Sequence, residues 1–198
     1  MSSKPQRLLV AVGASWGGLA AIRAVLHALP GTFPAPVAVV QHRSPESHPT
    51  ALRDLLGAAT ELAVCEAEDK QPLEPGRVYV APAAFHLLVE DEHLELSVDA
   101  AVDFARPSID VLFESAAESF RAGCVGVVLT GANSDGAAGL RRVAELGGRA
   151  IVQDPASCER VEMPAAAIAA VPAARVLPLE QIAPALVELC GGVEVGVR

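Results

Sequence analysis

Apolar and polar positions along this 198-residue chain follow two alternating rhythms. Short β-branched runs are each followed by a stretch whose apolar residues recur every three or four positions. That alternation predicts a parallel sheet covered by helices on both faces. Residues 8–12, Leu-Leu-Val-Ala-Val, form a continuous apolar run, as expected of a strand buried on both sides. Leu19, Ile22, Leu26 and Leu29 then fall at helical spacing, and Pro30-Gly31 closes that helix. Residues 37–40 predict a second buried strand ending at Gln41-His42, and a helix is expected over residues 51–56.

A different section begins at Val78. Residues 78–80 predict a strand, and 85–89 and 94–98 flank a polar turn as the arms of a β-hairpin. The second arm alternates apolar and polar, as an exposed antiparallel edge should. Ile109, Leu112, Phe113, Ala116 and Phe120 mark an amphipathic helix opened by Pro107-Ser108. A strand over 125–129, a helix over 135–146, a strand over 150–152 and helices over 164–170 and 179–189 complete the pattern. The expectation is an α/β domain spanning residues 8–190, doubly wound about a mostly parallel sheet with helices on both faces, and with the hairpin near one edge. Residues 1–7 and 191–198 are expected to be loose ends.

Composition narrows the class of protein. A chain of this length buries roughly 70% of its unfolded surface. Its net charge of −9 and pI near 5.0 argue against nucleic acid or an anionic membrane as partner, because binding phosphate needs a positive field. Cys65, Cys124, Cys158 and Cys190 lie far apart with no metal-ligand spacing, and read as reduced thiols; no metal or cofactor is expected. Lys4 and Arg7 before an apolar run imitate a secretion signal, but Gly17-Gly18 and Arg23 interrupt the run. The Ala-rich residues 163–179 are broken by Pro172 and Arg175 and are too short to span a bilayer. The expectation is therefore a cytoplasmic protein without direct membrane insertion. Nothing in the composition bears on oligomeric state.

Three places could carry chemistry. Gly13, Ser15 and Gly17 form G-x-S-x-G between the first strand and its helix, where glycines permit a tight turn that lifts a serine hydroxyl beside free N–H groups. Ser15 can equally be a helix cap in a Gly-rich turn. A dinucleotide fold also begins strand, glycine turn, helix, but G-x-G-x-x-G is absent and the second strand ends in Gln41-His42 instead of an acidic residue. His42 stands at the end of a strand expected to neighbour the first, about 5 Å away. Asp135 follows the strand over 125–129, expected on the first strand's other side, and taken alone it reads as the N-cap of the next helix. Together they would surround one crevice at the carboxyl ends of the strands, where ligands bind in such folds. Ser15 would be nucleophile, His42 general base and Asp135 its orienting carboxylate, with the backbone N–H of Trp16 and of Ala132 as oxyanion hole. A zinc site built from His42, His86 and Asp135 lacks supporting ligand spacing.

Gly13-Ala14-Ser15-Trp16-Gly17-Gly18, Gln41-His42, residues 106–113 (Arg-Pro-Ser-Ile-Asp-Val-Leu-Phe) and Leu129-Thr130-Gly131 with Asp135-Gly136-Ala137 resemble the CheB-type protein-glutamate methylesterase domain. Tyr79-Val80-Ala81-Pro82, Ala156-Ser157-Cys158 and Met163-Pro164 extend the resemblance over nearly the whole chain. It implies hydrolysis of γ-glutamyl methyl esters on chemoreceptors, deamidation of receptor glutamines at the same site, and the triad Ser15, His42, Asp135. Trp16 stands where the family often has a small residue or threonine, and Arg43 where an apolar residue is common. Trp16, Arg43, His86 and Arg106 are the substrate-binding candidates, Arg43 as a partner for a carboxylate beside the scissile ester. Full-length members usually begin with a receiver domain, whereas seven residues precede the first strand here, which implies a stand-alone enzyme or part of a longer chain. The rival readings are a non-catalytic signalling module that keeps the fold, and a hydrolase of a different ester.

Overall fold

The structure, a computed structural model, describes residues 7–44, 46, 48 and 50–191. Seven parallel strands form its main sheet: β1 (Leu9–Ala14), β2 (Val37–Gln41), β3 (Ala63–Glu66), β4 (Arg77–Val80), β7 (Cys124–Val128), β8 (Arg149–Gln153) and β9 (Arg175–Leu177). Their order is β3-β4-β2-β1-β7-β8-β9. The winding thus reverses at β1, with β2 on one side and β7 on the other, as the expected double winding requires. Strands β5 (His86–Glu90) and β6 (His93–Ser97) form the hairpin as a separate two-stranded sheet.

β1 shows why the central strands read as unbroken apolar runs. All six of its residues are buried, and alternate side chains enter different cores. Val10, Val12 and Ala14 meet α1 (Gly18–His27), α2 (Ala51–Gly57) and α6 (Leu179–Gly191) through residues such as Leu26, Leu56 and Leu186. Leu9 and Ala11 face α3 (Ile109–Phe120), α4 (Ala137–Glu145) and α5 (Glu162–Ala170) through Leu112, Phe113, Leu140 and Ala167. The hairpin packs on that second layer, where Ser115 Oγ accepts from Val89 N–H and Ser119 Oγ donates to Val89 O. It therefore lies over α3 and adds no strand to the edge of the main sheet.

Three details differ from expectation. β3 and β9 carry no clear strand pattern, being four and three residues long at the sheet edges with every position but Leu177 exposed or half-buried. The helix expected from Asp135 starts at Ala137, because Gly136 takes φ 93° and Asp135 turns its side chain elsewhere. α6 runs through Gly191; apart from that residue and Arg7, the ends expected to be loose lie outside the described residues.

Gly13 lies where α3 crosses β1. A Cβ there would stand 2.2 Å from Ile109 Cγ2, so even a methyl group must push α3 away. Gly13→Ala is expected to lower stability by about 1–3 kcal/mol through overpacking, read as a lower urea midpoint with an unchanged slope.

Candidate active site

Three strand ends build the site. β1 exits through Ser15 and Trp16 into α1, and Gly17 takes φ 76° at the N-cap. Only glycine adopts that backbone without strain. Here it also makes room, since a Cβ would meet Glu159 Oε2 at 2.7 Å. Ser15 N–H donates to Thr130 O at 3.0 Å, which fastens the elbow to the end of β7. The Ser15 hydroxyl is half-buried and makes no hydrogen bond among the described residues.

His42 follows β2, and its backbone N–H donates to Ala14 O at 3.0 Å. Its Nε2 lies 2.7 Å from Asp135 Oδ2, with 15% of the histidine side chain and none of the aspartate side chain exposed. Asn133 Nδ2 stands 3.5 Å from the other ring nitrogen, Nδ1.

Asp135 caps a helix, although not the one that follows it. Its Oδ2 accepts from Ile109 N–H at 2.7 Å, and its Oδ1 accepts from Asp110 N–H and Ser108 Oγ, each at 2.9 Å. The carboxylate thus occupies the N-terminus of α3, where unpaired N–H groups and the helix dipole favour negative charge. Burial pushes its pKa up, but the His42 hydrogen bond and the N–H groups of Ile109 and Asp110 outweigh that and hold it below the ordinary carboxylate value. An ionised Asp135 accepts a proton-bearing Nε2, which leaves the lone pair of His42 on Nδ1.

The candidates around these groups have definite places. Trp16 is exposed, its Nε1 donates to Glu159 Oε1 at 2.7 Å, and the Arg160 guanidinium lies 5.4 Å from its ring centre. Trp16 N–H and Ala132 N–H have no protein acceptor among the described residues, so both are open donors. Arg43 is 9% exposed and donates to Glu66 Oε1 and Ala81 O, each at 3.0 Å. His86 is buried; Ser108 N–H donates to its Nδ1 at 3.2 Å, and its Nε2 lies 3.1 Å from Ala100 O. Arg106 Nη1 donates to Val98 O and Asp99 O, both at 2.9 Å. Arg43 and Arg106 border a cavity of about 410 Å³ with His42, Asn133, Phe104 and Pro107. Ser15 opens on a second hollow of about 420 Å³ with Gly18, Arg23 and Gln41. Among the described residues no group of three or more His, Cys, Asp or Glu side chains is placed to hold a metal ion.

The sequence reading missed Ser108, Asn133, Thr130 and Glu159. Pro107-Ser108 was legible as a helix start, yet nothing local says that the helix would receive a carboxylate from 27 positions downstream. Thr130 Oγ1 lies 3.0 Å from Trp16 O and accepts from Arg160 N–H at 2.9 Å, so it braces both the elbow and the Trp16 rim.

A parallel α/β sheet carrying a strand–serine elbow–helix at its switch point, with histidine and aspartate at the two neighbouring strand ends, narrows the class sharply. A family profile described as CheB methylesterase matches residues 10–186, and the chain belongs to that family. A Leptospira interrogans relative is 44% identical over 181 residues, covering 91% of this chain and 93% of its own. The protein-glutamate methylesterase FrzG of Myxococcus xanthus is 45% identical over 185 residues, 93% of this chain and 55% of that one. The CheB methylesterase catalytic domain of Thermotoga maritima superposes with a TM-score of 0.87 at 35% identity, covering 92% of this chain and 98% of the other.

Asp110, buried beside Asp135, has the opposite electrostatic fate. Burial raises its pKa to about 6, against the N–H of Gly139 that donates to its Oδ1 at 2.6 Å, and the charge of Asp135 adds to the rise. The folded state then binds more protons than the unfolded state between pH 3.8 and about 6, so stability falls as pH rises through that window. Once ionised, a carboxyl moved that far costs about 3 kcal/mol. Asp110→Asn, which keeps an acceptor for Gly139, should therefore be more stable than wild type at pH 7, with the gap closing below pH ~4. Urea unfolding across that pH range would read it, and an equal gap at all pH values contradicts the assignment.

Proposed function

We propose that this protein is a serine hydrolase that removes methyl esters from glutamyl side chains of chemoreceptor-type proteins. It would act in the cytoplasm, and deamidation of receptor glutamines could use the same chemistry. Membership of the CheB methylesterase family supports the ester, and the names of relatives such as FrzG support the glutamyl side chain. The observation that carries the mechanism is the buried, ionised Asp135 bound to His42 Nε2 at the strand end next to the Ser15 elbow. Among the described residues no helix is long and apolar enough to cross a membrane.

In this reading Ser15 Oγ attacks the ester carbonyl carbon while His42 Nδ1 takes its proton. Asp135 stabilises the resulting imidazolium through Nε2–H. The oxyanion develops against the open N–H groups of Trp16 and Ala132, each such donor being worth roughly 3 kcal/mol. Collapse breaks the acyl–oxygen bond, and the proton on Nδ1 passes to the methoxide, which leaves as methanol. Water, deprotonated by Nδ1, then hydrolyses the acyl-enzyme and frees the glutamate. The serine hydroxyl makes no hydrogen bond among the described residues, and such catalytic contacts tighten when substrate arrives. With Arg43 paired to Glu66, we place the acyl chain against Trp16, Asn133 and the cavity beside His42, and assign Arg43 to holding the strand ends.

A fluorophosphonate should label Ser15, and methanol should be released from methylated chemoreceptor; Ser15→Ala is expected to abolish both. Asp135→Asn should lower kcat by about 10⁴-fold, since a neutral amide no longer fixes the Nε2–H tautomer. Mass spectrometry of the labelled peptide and a methanol assay decide the matter, and labelling that persists in Ser15→Ala would refute the nucleophile.

A further inference from the structure

Gln41 is the last residue of β2, faces Ala14 in the ladder, and is nine-tenths buried. The final backbone bond between β1 and β2 runs from His42 N–H to Ala14 O at 3.0 Å. Beyond it the chains diverge, β1 into the elbow and β2 into the segment after His42. Gln41 Nε2 spans the gap by donating to Ser15 O at 2.7 Å and to His42 O at 3.0 Å. One amide group thus ties the backbone of the nucleophile to that of the base at the point where the sheet ceases to do so.

The chemistry fixes which way the amide points, because two carbonyl oxygens can be satisfied only by its NH₂ end. Its other end, Oε1, is buried with no hydrogen-bond partner among the described residues. A buried acceptor left without a donor costs stability, and an apolar side chain of similar length would avoid that cost. Gly18 makes the room for this oxygen: a Cβ at position 18 would lie 2.2 Å from it. Gln41 and the second elbow glycine are two halves of one fitting. On the far side of the elbow Thr130 O and Thr130 Oγ1 hold Ser15 and Trp16, but they make no contact with the His42 backbone.

We propose that Gln41 is a positioning residue that sets the separation and orientation of Ser15 and His42. Its NH₂ group acts as the missing strand bond between them. This inference rests on Ser15 and His42 being nucleophile and base.

Three variants of the full chain test it, with p-nitrophenyl acetate as substrate and a fluorophosphonate as inactivator. Gln41→Met keeps the length and loses both donors. Its kcat and inactivation rate are expected to fall on the order of 10²-fold, the effect of a misplacement near 1 Å, with KM unchanged. In Gln41→Glu an ionised carboxylate opposes both carbonyls, whereas the protonated form donates to one. The ratio of its kcat to that of wild type should therefore rise as pH is lowered, and this ratio also decides the matter if Gln41→Met does not fold. Wild-type kcat in Gln41→Met, a change confined to KM, or a flat Gln41→Glu ratio would each overturn the inference. Ser15→Ala separates the two levels. Undiminished labelling in that variant removes the triad reading itself, while Ser15-specific labelling at wild-type rates in the Gln41 variants removes only the role of Gln41.

Discussion

Burying a carboxylate is among the most expensive things a protein can do, and the structure is arranged around one such group. Asp135 is fully enclosed yet remains charged, because the N-terminus of α3, the Ser108 hydroxyl and His42 supply four donors to its two oxygens. Removing either the helix or the histidine would leave a buried charge uncompensated. That requirement fixes α3 against the ends of β1 and β7, and α3 in turn carries the hairpin through Ser115 and Ser119. Ser108 extends the same chain to His86, which holds the 98–106 loop through Ala100 O. The cavity wall beside His42 is therefore positioned by groups that also hold Asp135.

The distribution of polar groups follows the same logic. The buried polar side chains lie at strand ends or at the start of α3, including Gln41, Thr130 and Gln153 below the elbow and Asp110 and Asp135 beside it. The rest of both cores is apolar, with Phe33, Tyr79 and Phe113 among its largest fully buried members. Stability is supplied by the sheet and its two helical layers, while the carboxyl ends of the strands carry the costs. Asp110 is the plainest of those costs, an acid raised to about 6 by its burial near a second carboxylate.

Much of this was legible from residue order. Runs such as Val10–Val12 and Val37–Val40 identify strands because both of their faces are buried, and glycines at 13 and 17 mark a turn that leaves no room for side chains. The expectation that His42 and Asp135 flank Ser15 needed only the winding rule, and the neighbouring positions of β2, β1 and β7 satisfy it. What stayed hidden was set by long-range contact. Asp135 reads locally as the N-cap of its own helix, and only the tertiary fold reveals that it caps α3. Arg43 looked free for a substrate carboxylate because its partner Glu66 sits on β3, an edge strand too short to show a pattern. Trp16 drew notice as an unusual residue, but the glutamate and arginine that hold it come 143 and 144 positions later.

The separation between His42 and Asp135, 93 residues along the chain, bears on when the site comes into being. During synthesis the serine elbow and the histidine strand emerge together, ahead of Asp135. The carboxylate that would orient the imidazole arrives only after β7 has slotted in on the other flank of β1, and α3 must be in place to receive it. A ribosome-bound chain that has not yet reached that point holds a serine and a histidine with no orienting acid. Any hydrolytic competence is thus deferred until synthesis has passed Asp135, a delay written into the topology alone.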